Sequence, residues 1–323
     1  RPYQARGLAW LVFLLKWGFG ACLADDMGLG KTIQALAFIE RERLCGAKGP
    51  LLLVCPTSVL TNWQMEAKRF TPRLPVILHH GSDRPLGESF NEQLQDNPMV
   101  ITSYSLLQRD HDFLTKIDWS GVILDEAQNI KNPSTKQAKA AKKLKGDYRI
   151  VLTGTPIENN IKDLWSLMDF LNPGLLGSRH SFNRDFIIPI QLLQEEDAKQ
   201  RLRQLTKPFV LRRLKSDEKV IADLPEKQEM KVYCGLSKEQ ASLYKAVVDD
   251  TSEQVKETKD QKRRRGVILT SLCRLKQVCN HPAHLLDDNS SIANRSGKVE
   301  RLKEMLEVLL EVGDSALIFS QFQ

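Results

Sequence analysis

The sequence predicts an α/β fold, a parallel sheet flanked by helices, and three observations carry that prediction. Short apolar runs alternate with helical stretches through residues 1–172 of the 323, the order that strand–helix–strand units require. Each run ends in a turn or a polar residue, and in such sheets ligands collect at the carboxyl ends of strands. Between the first run and a helix sits DDMGLGKT, residues 25–32, in the strand, loop, helix context of a phosphate-binding loop.

The expected strands are ACLA (21–24), LLLVCP (51–56), VILHH (76–80), MVITS (99–103), GVILD (121–125) and RIVLTG (149–154). From Ile161 to about Pro282 the apolar spacing becomes helical, as in LWSLMDFL and QASLYKAVV, with Pro173, Pro189, Pro208 and Pro225 as punctuation. That stretch reads as a helical insertion or subdomain. DDNSSIANRSG (287–297) reads as a linker. A helix, KVERLKEMLEVLLEVG, and a strand, ALIFS, then look like the opening of a second α/β lobe. The expected organisation is a first lobe over 1–172, a helical subdomain over 173–286, and a linker with the start of a second lobe over 287–323. The chain starts at RPYQ without Met and stops directly after ALIFSQFQ, so both ends are expected to be cut from something longer.

Lys and Arg number 47 against 40 Asp and Glu, a formal charge of +7. That excess suits a polyanionic partner without requiring one. The basic run KRRR (262–265) reads as a solvated face or as a binding surface. The six cysteines form no CxxC pair, and several lie in apolar runs where a reduced thiol packs as a small hydrophobe. An intracellular compartment is expected: cytoplasmic and nucleoid-associated in a prokaryote, nuclear in a eukaryote. No apolar run approaches the ~20 residues of a bilayer-spanning helix. The N-terminus also lacks the basic-then-apolar order of a secretion signal, so no membrane association is expected.

In DDMGLGKT, Gly28 and Gly30 let the backbone turn so that N–H groups point inward, and Lys31 places a cation where the helix TIQALAFIERER begins. Asp26, Met27 and Leu29 complete this candidate ATP-binding loop. The generic phosphate-loop pattern wants glycine where this chain has Asp25, and a plain glycine-rich turn is the competing reading. VILDEAQNI (122–130) runs an apolar strand into Asp125 and Glu126, two like charges that need a cation to share the site. Asp125 and the Thr32 hydroxyl are candidates to hold Mg²⁺ with the β and γ phosphates of ATP. Glu126 is the candidate to orient or deprotonate the attacking water. Lys31, Asp125 and Glu126 form the candidate catalytic set. The bland alternative is that the acidic pair caps the following helix.

LTGTPIENN (152–160) puts Thr153 and Thr155 at a strand end, where their hydroxyls can bond the acidic loop and report phosphate loss. A strand-to-helix turn with Pro156 near the first helical turn accounts for the same residues equally well. Arg212 and Arg213 suit a phosphate clamp, an interlobe contact or a surface salt-bridge pair.

Together these segments resemble the Swi/Snf-type ATPases of helicase superfamily two. The likeness runs through RPYQARGLAWL, DDMGLGKTIQALA, LLLVCPTSVLTNWQMEAKRF, VITSYSLL, DEAQNIKN, LTGTPIENNIKDLWSLMDFLNPGLLG, PFVLRRLKSDEKVIADLPEKQE, LCRLKQVCNHP, SGKVERLKEML and ALIFSQF. The resemblance implies a RecA-like sheet of the P-loop NTPase type and an ATP- and Mg²⁺-dependent motor that tracks along double-stranded DNA. It implies adenine recognition by Gln4, and it accommodates Asp25, because the superfamily's phosphate loop does not require the first glycine. DNA-backbone contacts are implied at Thr57, Ser58 and Asn62 and at Thr102 and Ser103. It also implies that the arginines reaching the γ-phosphate from the second lobe lie beyond Gln323, so that this stretch alone binds nucleotide and hydrolyses it poorly. A monomer acting on DNA, with a DNA-bound protein complex as a further partner, is expected. Cys279, His281 and His284 lack a fourth ligand for zinc, and in the family CNHP is a structural turn. Two other readings stand beside the translocase: a strand-separating or restriction-type motor of the same superfamily, and a nucleotide-dependent scaffold that does not hydrolyse.

Overall fold

The computed structural model describes residues 1–154, 161–217, 220, 229–258, 260–287, 291–311 and 313–322. The chain forms two compact units, residues 1–225 and 226–323.

In the first unit the strands are β1 (Ala21–Leu23), β2 (Leu51–Cys55), β3 (Val76–His79), β4 (Met99–Ser103), β5 (Gly121–Asp125), β6 (Arg149–Leu152) and β7 (Val210–Leu211). They lie in one sheet in the order β3-β4-β2-β5-β6-β1-β7, and every pairing is parallel. The α/β parallel sheet read from the sequence is present, with all six apolar runs as strands. Leu53 pairs with Ile101 on one side and Ile123 on the other, and all three are fully buried. Such continuous burial needs helices on both faces, because parallel strands are joined by crossovers that cover the sheet. Among those helices are α1 (Pro2–Lys16), α2 (Lys31–Leu44) and α3 (Leu60–Phe70). α2 buries Ala35, Leu36, Phe38 and Ile39, the face that the 3.6-residue period assigns to the core.

β7 was not visible in the sequence. Two residues give no alternation to detect, and they follow directly on the helices Glu196–Thr206 and Lys207–Phe209. Its pairing with β1 at Cys22–Val210 and Leu23–Leu211 returns the chain to the sheet. The change to a helical pattern at Ile161 and the lobe end expected at residue 172 therefore both lie inside the first unit.

Two close approaches set the packing. The amide of Asn172 clamps Gly20, accepting from its N–H at 2.8 Å and donating to its carbonyl at 3.2 Å, and so ties the entry to β1 to the end of the helix Ile161–Leu171. At Gly121 an added Cβ would lie 2.2 Å from two ring atoms of Tyr148, whose ring meets Phe38 edge-on at 5.2 Å.

In the second unit the helices Lys238–Glu257 and Gln261–Asn280 pack together, and Gly297–Glu311 follows. Gln240, fully buried, joins them. Its Nε2 donates to the Val278 carbonyl at 2.7 Å. Its Oε1 accepts from the N–H groups of Ser237 and Gly297 at 3.0 and 3.1 Å. The strand expected at ALIFS does not form: residues 316–320 have irregular backbone, with Leu317 and Phe319 86% and 89% exposed. A strand persists only with a ladder partner, and no other strand is present among the described residues of this unit. No helix among the described residues is long and apolar enough to cross a membrane.

Replacing Gly121 by Ala is expected to destabilise the first unit by about 1–3 kcal/mol, the usual cost of overpacking a filled core. A melting temperature followed by circular dichroism checks this; an unchanged value would show that the Tyr148 ring gives way freely.

Candidate active site

The phosphate loop joins β1 to α2. Gly28 and Gly30 have φ of 82° and 79°, left-handed values that suit glycine, and Gly30 caps α2. A Cβ on Gly30 would lie 2.5 Å from Gln4 Nε2. α1 holds the loop from outside: the Tyr3 hydroxyl and Gln4 Nε2 both donate to the Leu29 carbonyl, at 3.0 and 3.2 Å, and Leu29 is fully buried. Met27 is exposed, while Asp26 accepts from the Lys215 N–H at 3.0 Å. Lys31 donates to the Asp25 carbonyl at 2.8 Å, and Thr32 stands half-buried in the first turn of α2. That turn leaves its N–H groups without intrahelical acceptors. Both glycines hold positive φ and the lysine opens the helix.

Asp25, where the generic loop has glycine, is fully buried. Its carboxylate accepts from Gln34 Nε2 at 3.2 Å and from Arg213 Nε at 2.9 Å, with a second, short bond from Arg213 Nη2. Arg213 is thus no surface pair. Neither Gln34 nor the inward turn of Arg213 was read from the sequence, because the arginine lies 188 residues from Asp25.

The acidic pair ends β5. Trp63 Nε1, from α3, donates to Asp125 Oδ2 at 2.7 Å, and the Glu126 N–H donates to Oδ1 at 2.9 Å. The Tyr104 hydroxyl donates to the Asp125 carbonyl at 2.8 Å. Burial pushes the Asp125 carboxyl up; the Trp63 hydrogen bond opposes this, the Glu126 charge adds to it, and the Lys31 charge counters it. Lys31 is therefore close enough to act on Asp125. Glu126 has left-handed backbone, φ 48° and ψ 54°, unusual for a residue with a side chain. Its carbonyl accepts from Asn129 Nδ2 at 2.9 Å. Glu126 makes no side-chain capping bond to the turn Ala127–Ile130, so the capping explanation does not account for it.

Thr153, buried just past β6, lies between these loops, and its N–H donates to the Leu23 carbonyl at 3.1 Å. Thr155 lies outside the described residues. Thr57 and Ser58, in the turn after β2, and Asn62, on α3, are exposed. Thr102 and Ser103 are not brought to the surface with them. Both are buried; the Thr102 hydroxyl donates to the His79 carbonyl at 3.2 Å, and Ser103 Oγ caps the helix Tyr104–Arg109 by accepting from the Leu106 N–H. The neighbouring Ser105 is exposed.

In the second unit both His281 nitrogens are engaged, Nδ1 accepting from the Ala283 N–H at 3.1 Å and Nε2 meeting the Ile292 carbonyl at 3.0 Å. No group of three or more His, Cys, Asp or Glu among the described residues is placed to hold a metal ion. Residues 262–265 are exposed on the helix Gln261–Asn280.

Comparison with known proteins follows the same residues. The SNF2-related domain family matches residues 3–284. A putative ATP-dependent helicase/translocase, YwqA of Bacillus subtilis (strain 168), is 46% identical over 325 residues, covering 100% of this chain and 35% of its own length. The human SWI/SNF-related matrix-associated actin-dependent regulator of chromatin subfamily A member 1 is 35% identical over 334 residues, covering 99% of this chain and 31% of its own. This chain spans about a third of the length of these relatives. A solved structure, the Sulfolobus solfataricus SWI2/SNF2 ATPase core in complex with dsDNA, is 46% identical with a TM-score of 0.66, covering 100% of this chain and 67% of that one. With its lysine loop and acidic corner at one edge of a parallel sheet and a match that takes in most of its length, this chain belongs to the SNF2-related domain family.

Proposed function

We propose that this chain carries the ATP-binding part of a motor that hydrolyses ATP and moves along double-stranded DNA without separating the strands. The observation that supports this most is the meeting of the lysine loop and the acidic pair at the carboxyl ends of β1 and β5, close enough that the Lys31 charge bears on Asp125. The donor set fits a triphosphate: Gly28 and Gly30 hold positive φ, Lys31 opens α2, and the first turn of α2 leaves its N–H groups without intrahelical acceptors.

In this reading Lys31 and the loop N–H groups bind the phosphates, and Gln4 recognises adenine. Thr32 and Asp125 hold Mg²⁺, which supplies charge neutralisation for phosphoryl transfer when bound. Glu126 orients or deprotonates the attacking water. Thr153 and Thr155 report phosphate loss to the rest of the protein. Thr57, Ser58 and Asn62 contact the DNA backbone, contacts that position the motor and read no sequence. Thr102 and Ser103 support that surface from below, with Ser105 as the hydroxyl that reaches it. The Sulfolobus relative, solved with dsDNA, supports duplex as the track. The motor acts as a monomer in the compartment that holds DNA, nucleoid or nucleus, with a DNA-bound protein complex as its object.

The name of the B. subtilis relative includes helicase, which keeps strand separation as a second reading. The ATPase rate of the full-length protein without nucleic acid, with single strands and with duplex separates the two. Duplex-selective stimulation without strand displacement is expected; displacement of an annealed strand would overturn the translocase reading.

Lys31→Ala is expected to abolish ATP binding in titration calorimetry. Glu126→Gln should keep binding and lose turnover by about 10²-fold or more, the scale of general-base catalysis; turnover at the parent rate would remove Glu126 from this role. A scaffold that does not hydrolyse would lose nothing by that change.

Asp125 has a linked stability signature. Burial raises its folded carboxyl pKa, so the native state binds more protons than the unfolded chain, and its contribution to stability falls as pH rises from the ordinary carboxylate range through the raised value. Asp125→Asn is therefore expected to flatten the pH dependence of the melting temperature above the ordinary carboxylate range in the absence of Mg²⁺, while Mg²⁺-dependent turnover is lost. A melting temperature that varies with pH in the variant as it does in the parent would contradict this.

A further inference from the structure

We infer that Arg213 is a positioning residue for phosphate binding, acting by neutralising Asp25, the buried carboxylate at the start of the phosphate loop. The inference rests on the ATP-binding reading above. On its own the loop is poorly charged to hold a polyanion, because Asp25 and Asp26 face a single lysine, Lys31, and residues 25–32 are net negative. A carboxylate inside such a cradle repels the ligand and draws on the field of the lysine. The chain just past β7 reverses the sign by bringing Arg213 and Lys215 against the loop.

The contact is built rather than incidental. Residues 211–215 run beside the loop: the Ala24 N–H donates to the Leu211 carbonyl at 2.7 Å and the Asp26 N–H to the Arg213 carbonyl at 3.0 Å. The Arg213 side chain, 11% exposed against 0% for Asp25, forks onto both carboxylate oxygens, the geometry only a guanidinium provides. Its remaining donors go to Gln34 Oε1 at 2.7 Å and, by a short bond, to the Tyr3 carbonyl, and the guanidinium lies 5.1 Å from the Tyr3 ring centroid. Gln34 in turn donates to the Gly30 carbonyl at 3.2 Å. At Gly7 of α1, an added Cβ would lie 2.0 Å from Gln34 Oε1 and 2.9 Å from Arg213 Nη2, so the helix backbone is fitted around the pair. Arg213 thereby joins the charge of Asp25 to both elements that shape the loop, α1 and α2, through Tyr3 and Gln34.

The test is calorimetric binding of ATP, ADP and adenosine to the full-length protein and its variants, with melting curves as a check on folding. Arg213→Gln is expected to weaken ATP roughly tenfold or more, the scale of one uncompensated charge a few ångströms away in partly screened protein. ADP should be weakened less, and adenosine hardly at all. Arg213→Lys should recover part of the loss, and Asp25→Asn/Arg213→Gln should return ATP to within about threefold of the parent, because both charges are gone. Unchanged ATP binding in Arg213→Gln, or a double variant as weak as the single one, would overturn the inference, the latter by showing a loss of packing rather than of charge. Should Arg213→Gln fail to fold, as removal of one partner of a buried pair can cause, Asp25→Asn alone decides: ATP affinity equal to or above the parent is expected, and weaker binding refutes the inference. A folded parent that binds no ATP would defeat the nucleotide reading itself, a different result from a parent that binds and is indifferent to Arg213.

Discussion

Parallel pairing of β1, β6 and β5 brings three loops to one edge of the sheet, and the charges on those loops can be held only because they meet there. Adjacent strands lie about 4.8 Å apart, so the lysine loop and the acidic pair stand on strands separated by a single neighbour. Were β5 to run antiparallel to β6 and β1, the acidic pair would lie at the opposite end of the sheet from the lysine loop. Asp125 and Glu126 would then face each other without the Lys31 charge that now counters the penalty of burial. The apolar run in front of the carboxylates belongs to the same constraint: β5 is buried over Gly121–Leu124, which places the first polar residue at the strand end and nowhere earlier.

Local costs gather at that edge. Glu126 holds left-handed backbone, and Asp125 carries a carboxyl that burial makes reluctant to ionise. Asp25 is a buried charge retained by an arginine. Strain and like charge of this kind persist where the surroundings over-determine them, and the surroundings here are specific: the Trp63 indole and the Tyr104 hydroxyl hold Asp125, and the Asn129 amide holds the Glu126 corner.

The six longer strands were legible because each is an apolar run closed by a polar residue, and the two motifs at their ends were legible because glycine, lysine and carboxylates have little other reason to follow such runs. What supports the motifs was not. Trp63 and Tyr104 lie 62 and 21 residues from Asp125, and no local pattern marks a tryptophan as a hydrogen-bond donor to a distant acid. Arg213 read as a phosphate clamp, an interlobe contact or a surface pair, and nothing local named Asp25 as its partner. Thr102 and Ser103 showed a hydroxyl pair at a strand end, but the sequence could not show that the β4 register buries the first and that the next helix claims the second as its cap. Failure at ALIFS has a related cause: an apolar run declares strand propensity, whereas a strand is a property of two segments.

The amide of Asn172 bears on mechanics. In the motor proposed above, pulling on a long polymer loads the scaffold itself, and β1 is one strand of that scaffold. By gripping Gly20 through both its N–H and its carbonyl, Asn172 welds the foot of β1 to the end of a helix 152 residues downstream. Under load, the strand that leads into the glycine and lysine loop would draw on the helix anchored beside it.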